Sequence, residues 1–306
     1  MALDQTFFPS RWPIMCAVMN GVSDLNLALA VNQAGAMPSL MIVGDNRVDQ
    51  LHSSLKEFVK CTGHGNLVLQ LNYHDLTSYT LMKSIKQFNI SHVELIGELD
   101  TPGMTTKQEF DQVMQNPMYA KGLKFIQSIS KTIIRVLTPC DSSDVSAYAL
   151  KGNDSAGFGG ALSVSELFNQ QKQRTPDMNL ITYGGVGTPK QVADYIQRGA
   201  AGVAVGTLFA ATQESCLSAD TKHKMISANS AALVKFETAQ QETQQALILG
   251  DPVLVASDST PNRQTSLDSG IAGFGGLVYA GSAIDYVTEI RTVKQVVDYL
   301  TQDLLQ

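Results

Sequence analysis

Two glycine-rich segments carry the residue types best suited to gripping a phosphate. Tyr183-Gly184-Gly185-Val186-Gly187-Thr188-Pro189 is followed, after one helical segment, by Gly202-Val203-Ala204-Val205-Gly206-Thr207. Each begins as a short apolar run, stops at glycine and continues as helical text, so the glycines fall where a strand hands over to a helix. Backbone without Cβ lets an anion approach closely there, and the free N–H groups of a helix start favour negative charge. Paired phosphate loops after the last two strands are the usual anion site of a (β/α)8 barrel, so a phosphorylated cofactor or substrate is expected.

The elements that must position these loops read as short apolar strands alternating with amphipathic helices, the pattern of a parallel sheet with crossover helices. Strands are expected at residues 13–19, 37–43, 67–71, 93–97, 133–137 and 147–150, followed by the two glycine-ended strands, a count compatible with eight. Ser23-Asp24 reads as the cap of a helix running to about Gln33, stopped by Gly35. Further helices are expected at residues 48–59 and 107–129. Only a short polar link, residues 140–146, joins the fifth and sixth strands, too short for a full crossover helix. Residues 222–246 read as a long polar, Gln- and Ala-rich helical region, and residues 251–276 as a loop-rich stretch. The expected organisation is one barrel domain over residues 1–306, with residues 213–276 as a helical insertion or lid and residues 284–305 closing the fold by helices.

Composition narrows the class. A chain of 306 residues, 44% hydrophobic and 16% charged, can bury a large core, and barrels of this length are routinely single domains. A net charge of -6 argues against a nucleic-acid surface. No apolar run reaches membrane-spanning length and no basic region followed by an apolar stretch opens the chain, so a cytoplasmic location is the default expectation. Cys16, Cys61, Cys140 and Cys216 are scattered without metal-ligand spacing and read as reduced and structural.

Beyond these patterns, the order of several motifs resembles one family. Pro13-Ile14-Met15-Cys16-Ala17-Val18-Met19, then Gly21-Val22-Ser23-Asp24 and Ala34-Gly35, resembles the opening strand and helix of the nitronate monooxygenases, formerly 2-nitropropane dioxygenases. That family also includes flavin-dependent enoyl-ACP reductases and some NADH:quinone reductases. Asn72 stands where the family's third strand ends in asparagine. Lys151-Gly152-Asn153-Asp154-Ser155-Ala156-Gly157-Phe158-Gly159-Gly160 resembles the signature loop GxEAGGHxG. Gln213-Glu214-Ser215 and Tyr279-Ala280-Gly281-Ser282 resemble later family segments.

The resemblance implies a barrel with FMN at the carboxyl ends of its strands. The backbone of Ala17, Val18 and Met19 would flank the isoalloxazine, and Asn72 would hydrogen-bond its polar edge. Lys151, where relatives often have Gln, would reach the pyrimidine side and stabilise negative charge on the reduced cofactor. Gly184, Gly185, Gly187, Gly206 and Thr207 would hold the phosphate, and Ser155, Gly157, Gly281 and Ser282 complete the implied cofactor site. The second substrate would be oxygen in a nitronate monooxygenase-like enzyme, or NADH or NADPH as reductant in a reductase, which this family binds transiently without a GxGxxG fingerprint. The implied substrate is a small molecule or an acyl thioester, and such barrels often self-associate as homo-oligomers.

One departure bears on the reaction. Phe158 aligns with the family histidine that acts as base or proton donor, and phenylalanine transfers no proton. Candidate substitutes are Lys151, Asp154, whose alternative role is capping neighbouring amides, and His74, whose alternative is a surface or capping position. Glu98 and Asp100 are further acidic candidates. The aromatic ring also makes the pocket more apolar, which favours a fatty or aromatic substrate. Three classes of function remain open at this level: an FMN oxidoreductase, working as a nitronate monooxygenase or as an NAD(P)H-dependent enoyl or quinone reductase; a flavin-free barrel isomerase or lyase acting on a phosphorylated substrate; and a flavin-binding subunit without catalysis.

Overall fold

The computed structural model describes residues 7–41, 47–96, 106–141, 144–237, 243–248 and 277–305. Its centre is a parallel sheet of eight strands. In chain order these are β1 (Ile14–Cys16), β2 (Ser39–Leu40), β3 (Val68–Asn72), β4 (His92–Ile96), β5 (Lys131–Val136) and β6 (Ala147–Lys151). A two-residue strand outside this sheet, β7 (Gly157–Phe158), precedes the last two, β8 (Asn179–Tyr183) and β9 (Gly202–Val205). The spatial order is β1-β9-β8-β6-β5-β4-β3-β2. A parallel bridge between Met15 and Met37 joins the two ends, with Cys16 N–H donating to the Met37 carbonyl at 2.9 Å and Met37 N–H to that of Ile14 at 2.7 Å. The sheet is thereby brought round into the expected (β/α)8 barrel.

Helices follow the strands and cover them. They are α1 (Leu25–Gln33), α2 (Arg47–Thr62), α3 (Tyr79–Gln87), α4 (Thr106–Met114), α5 (Pro117–Gln127), α6 (Val164–Arg174), α7 (Pro189–Gln197), the short α8 (Thr207–Ala210), α9 (Ala219–Ser227) and α10 (Val293–Leu300). Asp24 accepts the Leu27 amide at 2.9 Å, as its place before α1 predicts. The helical text expected over residues 107–129 forms two helices, because Asn116 accepts the Met118 amide and Pro117 starts a new helix without needing an N–H. Among the described residues no helix lies between β5 and β6.

Strand periodicity sorts the barrel into an outer apolar layer under the helices and an inner column. Inward positions run Val68, Gln70 and Asn72 on β3; His92, Glu94 and Ile96 on β4; Ile133 and Arg135 on β5; Ala147, Ala149 and Lys151 on β6; Ile181 and Tyr183 on β8. Met15, Met37, Val68, Ile133, Ala147 and Ile181 fill the middle of this column and are fully buried. Phe7 and Phe8 plug the end where the strands begin, with His92 Nε2 donating to the Phe7 carbonyl at 3.0 Å and Lys131 Nζ to the same oxygen at 2.7 Å. The column therefore changes from apolar to polar towards the carboxyl ends of the strands.

The helical reading of residues 222–246 is corrected. Helix α9 ends at Ser227, and β10 (Leu233–Glu237) pairs antiparallel with β11 (Thr243–Ile248). The other edge of β11 pairs with β12 (Leu277–Val278) and with β7, so the signature-loop residues Gly157 and Phe158 become a strand opposite Gln245 and Gln244. Gln- and Ala-rich text has helical propensity, but pairing on both edges of β11 overrides it. Residues 249–276, which include the whole of the expected loop-rich stretch, lie outside the described residues, as do Glu98 and Asp100. The closing helices appear as α10 between two short 3₁₀ turns, Ser282–Tyr286 and Gln302–Leu304. Among the described residues no helix is long and apolar enough to cross a membrane.

Candidate active site

A cavity of about 450 Å³ opens at the carboxyl ends of the barrel strands, a size typical of small-molecule sites. Its walls come from the chain after β1 (Ala17, Val18, Met19), the ends of β3, β5 and β6 (Asn72, Arg135, Lys151), the signature loop, the glycine turns after β8 and β9, and residues 278–283. Several separate strand ends thus converge, although the residues are far apart in sequence.

The floor is charged. Arg135 Nε and Nη2 donate to Glu94 Oε1 at 3.1 and 2.8 Å, and Tyr183 donates its hydroxyl to Glu94 Oε2 at 3.1 Å. Glu94 is completely buried, so its charge requires this pairing. Burial opposes the charge on Arg135, but Glu94 and Tyr183 more than offset it and keep the guanidinium protonated. Burial, reinforced by Glu94, pushes the Tyr183 phenol well above its ordinary range.

Lys151 differs from its neighbours. It is 8% exposed, and among the described residues its amine makes no hydrogen bond. Burial first, and the Arg135 charge second, hold its pKa well below the usual lysine value, with Glu94 only partly compensating. Its Nζ lies 3.8 Å from where a Cβ on Gly157 would stand.

The glycine turns divide into two kinds. Gly184 and Gly185 have φ of +108° and +70°, and a Cβ on them would meet Ser155 at 2.5 Å and Asp154 at 2.9 Å. Their lack of a side chain is required by the signature loop packed against them as well as by any ligand. At Gly206 a Cβ would sit 3.4 Å from the Ala17 Cβ, an ordinary contact. Among the described residues the amides of Gly184, Gly185 and Gly206 donate to no protein acceptor. Thr207 Oγ1 accepts the Gly281 amide at 3.1 Å, which leaves its own proton to donate.

Four sequence candidates lie outside the cavity wall. Gly187 donates its amide to Gln191 Oε1 at 2.9 Å, and Ser282 donates its own to the Asp154 carbonyl at 2.9 Å. The Asp154 carboxylate accepts the Val164 amide at 3.1 Å, so it anchors the start of α6. His74 is exposed, and its Nδ1 pairs with the Tyr119 hydroxyl at 2.7 Å on α5. Ala17, Val18, Met19, Asn72, Lys151, Ser155, Gly157, Gly184, Gly185, Gly206, Thr207 and Gly281 do share the wall, together with Phe158. Sequence reading did not single out Glu94 and Arg135. The available signal was a lone charge at an inward, alternating position of an otherwise apolar strand, His92-Val93-Glu94-Leu95-Ile96 and Thr132-Ile133-Ile134-Arg135-Val136.

Comparison with known families matches residues 132–303 to nitronate monooxygenase, a stretch that contains the signature loop, both glycine turns and more than half of the chain. The chain belongs to the nitronate monooxygenase family. As a nitronate monooxygenase family member it is an FMN-dependent oxidoreductase. Solved structures show the same fold. A FabK mutant from Thermotoga maritima is 20% identical with a TM-score of 0.75, covering 97% of this chain and 93% of that one. Nitroalkane oxidase from Streptomyces ansochromogenes is 16% identical with a TM-score of 0.72, covering 98% and 97%. The enoyl reductase domain of MlnA from Bacillus amyloliquefaciens is 10% identical with a TM-score of 0.70, covering 98% and 95%. Among curated proteins no match is found.

Proposed function

We propose that this protein oxidises nitronates with FMN held at the carboxyl ends of the barrel strands. The observation that carries the reading is the membership of the nitronate monooxygenase family together with a cavity whose wall suits the cofactor. Unused backbone amides at Gly184, Gly185 and Gly206 and the Thr207 hydroxyl supply donors for a phosphate, and among the described residues no carboxylate lines the wall. Ala17, Val18 and Met19 offer an apolar edge for a planar ring, and Asn72 offers a polar partner for its pyrimidine side. Ser155, Gly157 and Gly281 close the same wall. FMN, when bound, supplies the electron-transfer chemistry; the chain supplies orientation and charge.

Tyr183 and Arg135 hold the floor rigid through Glu94, so the cation that faces the cavity keeps a fixed position. Ser23 accepts the Met19 amide at 2.9 Å and fixes the turn that presents Ala17 to Met19. These are the positioning functions expected of groups beneath a cofactor.

A second reading, an NAD(P)H-dependent enoyl or quinone reductase, is favoured by one observation. Phe158, Val278, Tyr279 and Ile96 give the cavity a substantial apolar wall, which suits an acyl chain. The visible spectrum of the purified protein, followed anaerobically with NADH, with NADPH and with ethyl nitronate, separates the two. A flavin spectrum bleached by ethyl nitronate alone is the expected result. Bleaching by a nicotinamide would establish the reductase instead, and no flavin spectrum after adding FMN would overturn both.

A further inference from the structure

Phe158 leaves the site without the proton-carrying imidazole of the family pattern, yet the chemistry proposed above forms and consumes carbon anions. The groups around the cavity that could move a proton are mostly committed. Arg47 is paired with Asp75 at the mouth, Arg135 with Glu94, and the Tyr183 hydroxyl with Glu94. Asp154 and His74 stand outside the wall. Lys151 is buried in the wall with no hydrogen bond to its amine among the described residues, and its Nζ lies beside Gly157, the residue next to Phe158. The ring of Tyr279 flanks the same spot, its Cδ1 also 3.8 Å from the Cβ position of residue 157.

We propose that the Lys151 amine is the proton-transfer group of this site, acting on the substrate carbon next to a nitro or acyl group and taking the role of the histidine that Phe158 replaces. The proposal rests on reading the cavity as a flavin-dependent carbon-acid site. In the forward sense the neutral amine takes the proton: the carbon–hydrogen bond breaks, its electron pair moves onto the nitro or carbonyl oxygens, and an ammonium and a nitronate or enolate result. In reverse the ammonium returns a proton to that carbon and becomes neutral. No electrons leave or enter the pair, so the step needs no co-reactant.

The surroundings favour this exchange of charge. Burial and the Arg135 cation act against the ammonium, while Glu94, already shared by Arg135 and Tyr183, compensates only in part, so the neutral base is accessible at lower pH than for a surface lysine. Once the substrate anion forms, it supplies the missing negative charge beside Nζ. A glutamine, as relatives often have here, would hydrogen-bond a ligand but could not act as this base.

The test follows exchange of the α-hydrogens of nitroethane and of a butanoyl pantetheine thioester in deuterium oxide, by NMR and without oxygen, using protein whose FMN content is read from its absorbance. Wild-type protein is expected to accelerate exchange of at least one probe. Lys151→Met and Lys151→Arg, compared at equal FMN occupancy, are both expected to lose about a hundredfold in that rate, because arginine keeps the charge but offers no neutral base. Adding Phe158→His to Lys151→Met is expected to restore exchange. Independently of turnover, carbon-13 methylation of the lysines should give one resonance, absent in Lys151→Arg, that titrates below the others. Wild-type rates in Lys151→Arg, a Lys151 resonance titrating with the surface lysines, or FMN-loaded wild-type protein exchanging neither probe would each overturn the role of Lys151. Failure of wild-type protein to bind FMN would instead overturn the functional reading beneath it.

Discussion

Tyr183 on β8 donates its hydroxyl proton to Oε2 of Glu94 on β4, 3.1 Å away, with β5 and β6 lying between these strands in the sheet. The bond crosses the barrel interior just beneath the cavity and shares its carboxylate with Arg135. Removing Arg135 as Arg135→Met would strand a fully buried carboxylate, so a loss of about 3–5 kcal/mol in unfolding free energy is expected. Tyr183→Phe removes only one neutral donor and should cost about 1–2 kcal/mol. Denaturant melts of the two variants check the order; equal losses would mean that Glu94 does not depend on Arg135 for its charge.

The contrast between Gly206 and Gly184 gives a paired expectation. Gly206→Ala has room for its Cβ and should keep FMN, whereas Gly206→Asp places a carboxylate among the unused amides and should expel the cofactor by charge repulsion. Gly184→Ala combines a positive φ with a collision against Ser155, so it should lose about 1–3 kcal/mol of stability whether or not flavin is present. Flavin absorbance per folded protein and a thermal melt distinguish these effects. Stoichiometric flavin in Gly206→Asp would remove the proposed phosphate site.

Phe158→His would place an imidazole in the cavity wall that Lys151 also lines. Since an imidazole titrates about four units below an ordinary lysine, the base-limited arm of the pH profile for oxidation of neutral nitroethane, which must first lose its α-proton, should move to lower pH. Oxygen uptake measured across pH is the readout. An unchanged profile would show that an imidazole at position 158 does not reach the proton.

At the opposite end of the barrel, His92 is held neutral. Burial lowers its pKa from 6.5 to about 4, with the Phe7 carbonyl opposing and Lys131 reinforcing the shift. The folded-state value lies below the unfolded one, so the unfolded chain binds the extra proton first as pH falls. Stability should therefore be complete above about pH 6.5 and decline by about 3 kcal/mol towards pH 4. Urea titrations of wild type and His92→Gln at several pH values test this; the variant should show a shallower decline across that window.

Much of this arrangement was legible because barrel strands advertise their inward faces. Asn72, Lys151 and Gly206 each stand at a strand's carboxyl end, and the switch from apolar run to glycine or polar residue marks that end without knowledge of the partner strands. Glu94 and Arg135 escaped because their importance lies in meeting one another across β4 and β5, a pairing that local patterns do not encode. His74 illustrates another limit: strand position brought it near the mouth, but its side chain pairs with Tyr119 on a different helix. Residues 233–237 and 243–246 were misread because their Gln, Ala and Glu content is helical in isolation, while β11 is satisfied on one edge by β10 and on the other by β7 and β12, strands distant in sequence.

The pairing of Phe158 with Gln244 makes the signature loop one strand of the small sheet that includes the β10–β11 hairpin. Gln245 also donates to the Ser155 carbonyl at 3.4 Å, tying the turn before β7 to the same strand. A substitution in the hairpin is consequently a substitution in the backbone frame of residues 155–158, even when it touches no wall of the cavity. The backbone of the signature loop and that of the hairpin therefore cannot be repositioned separately in this barrel.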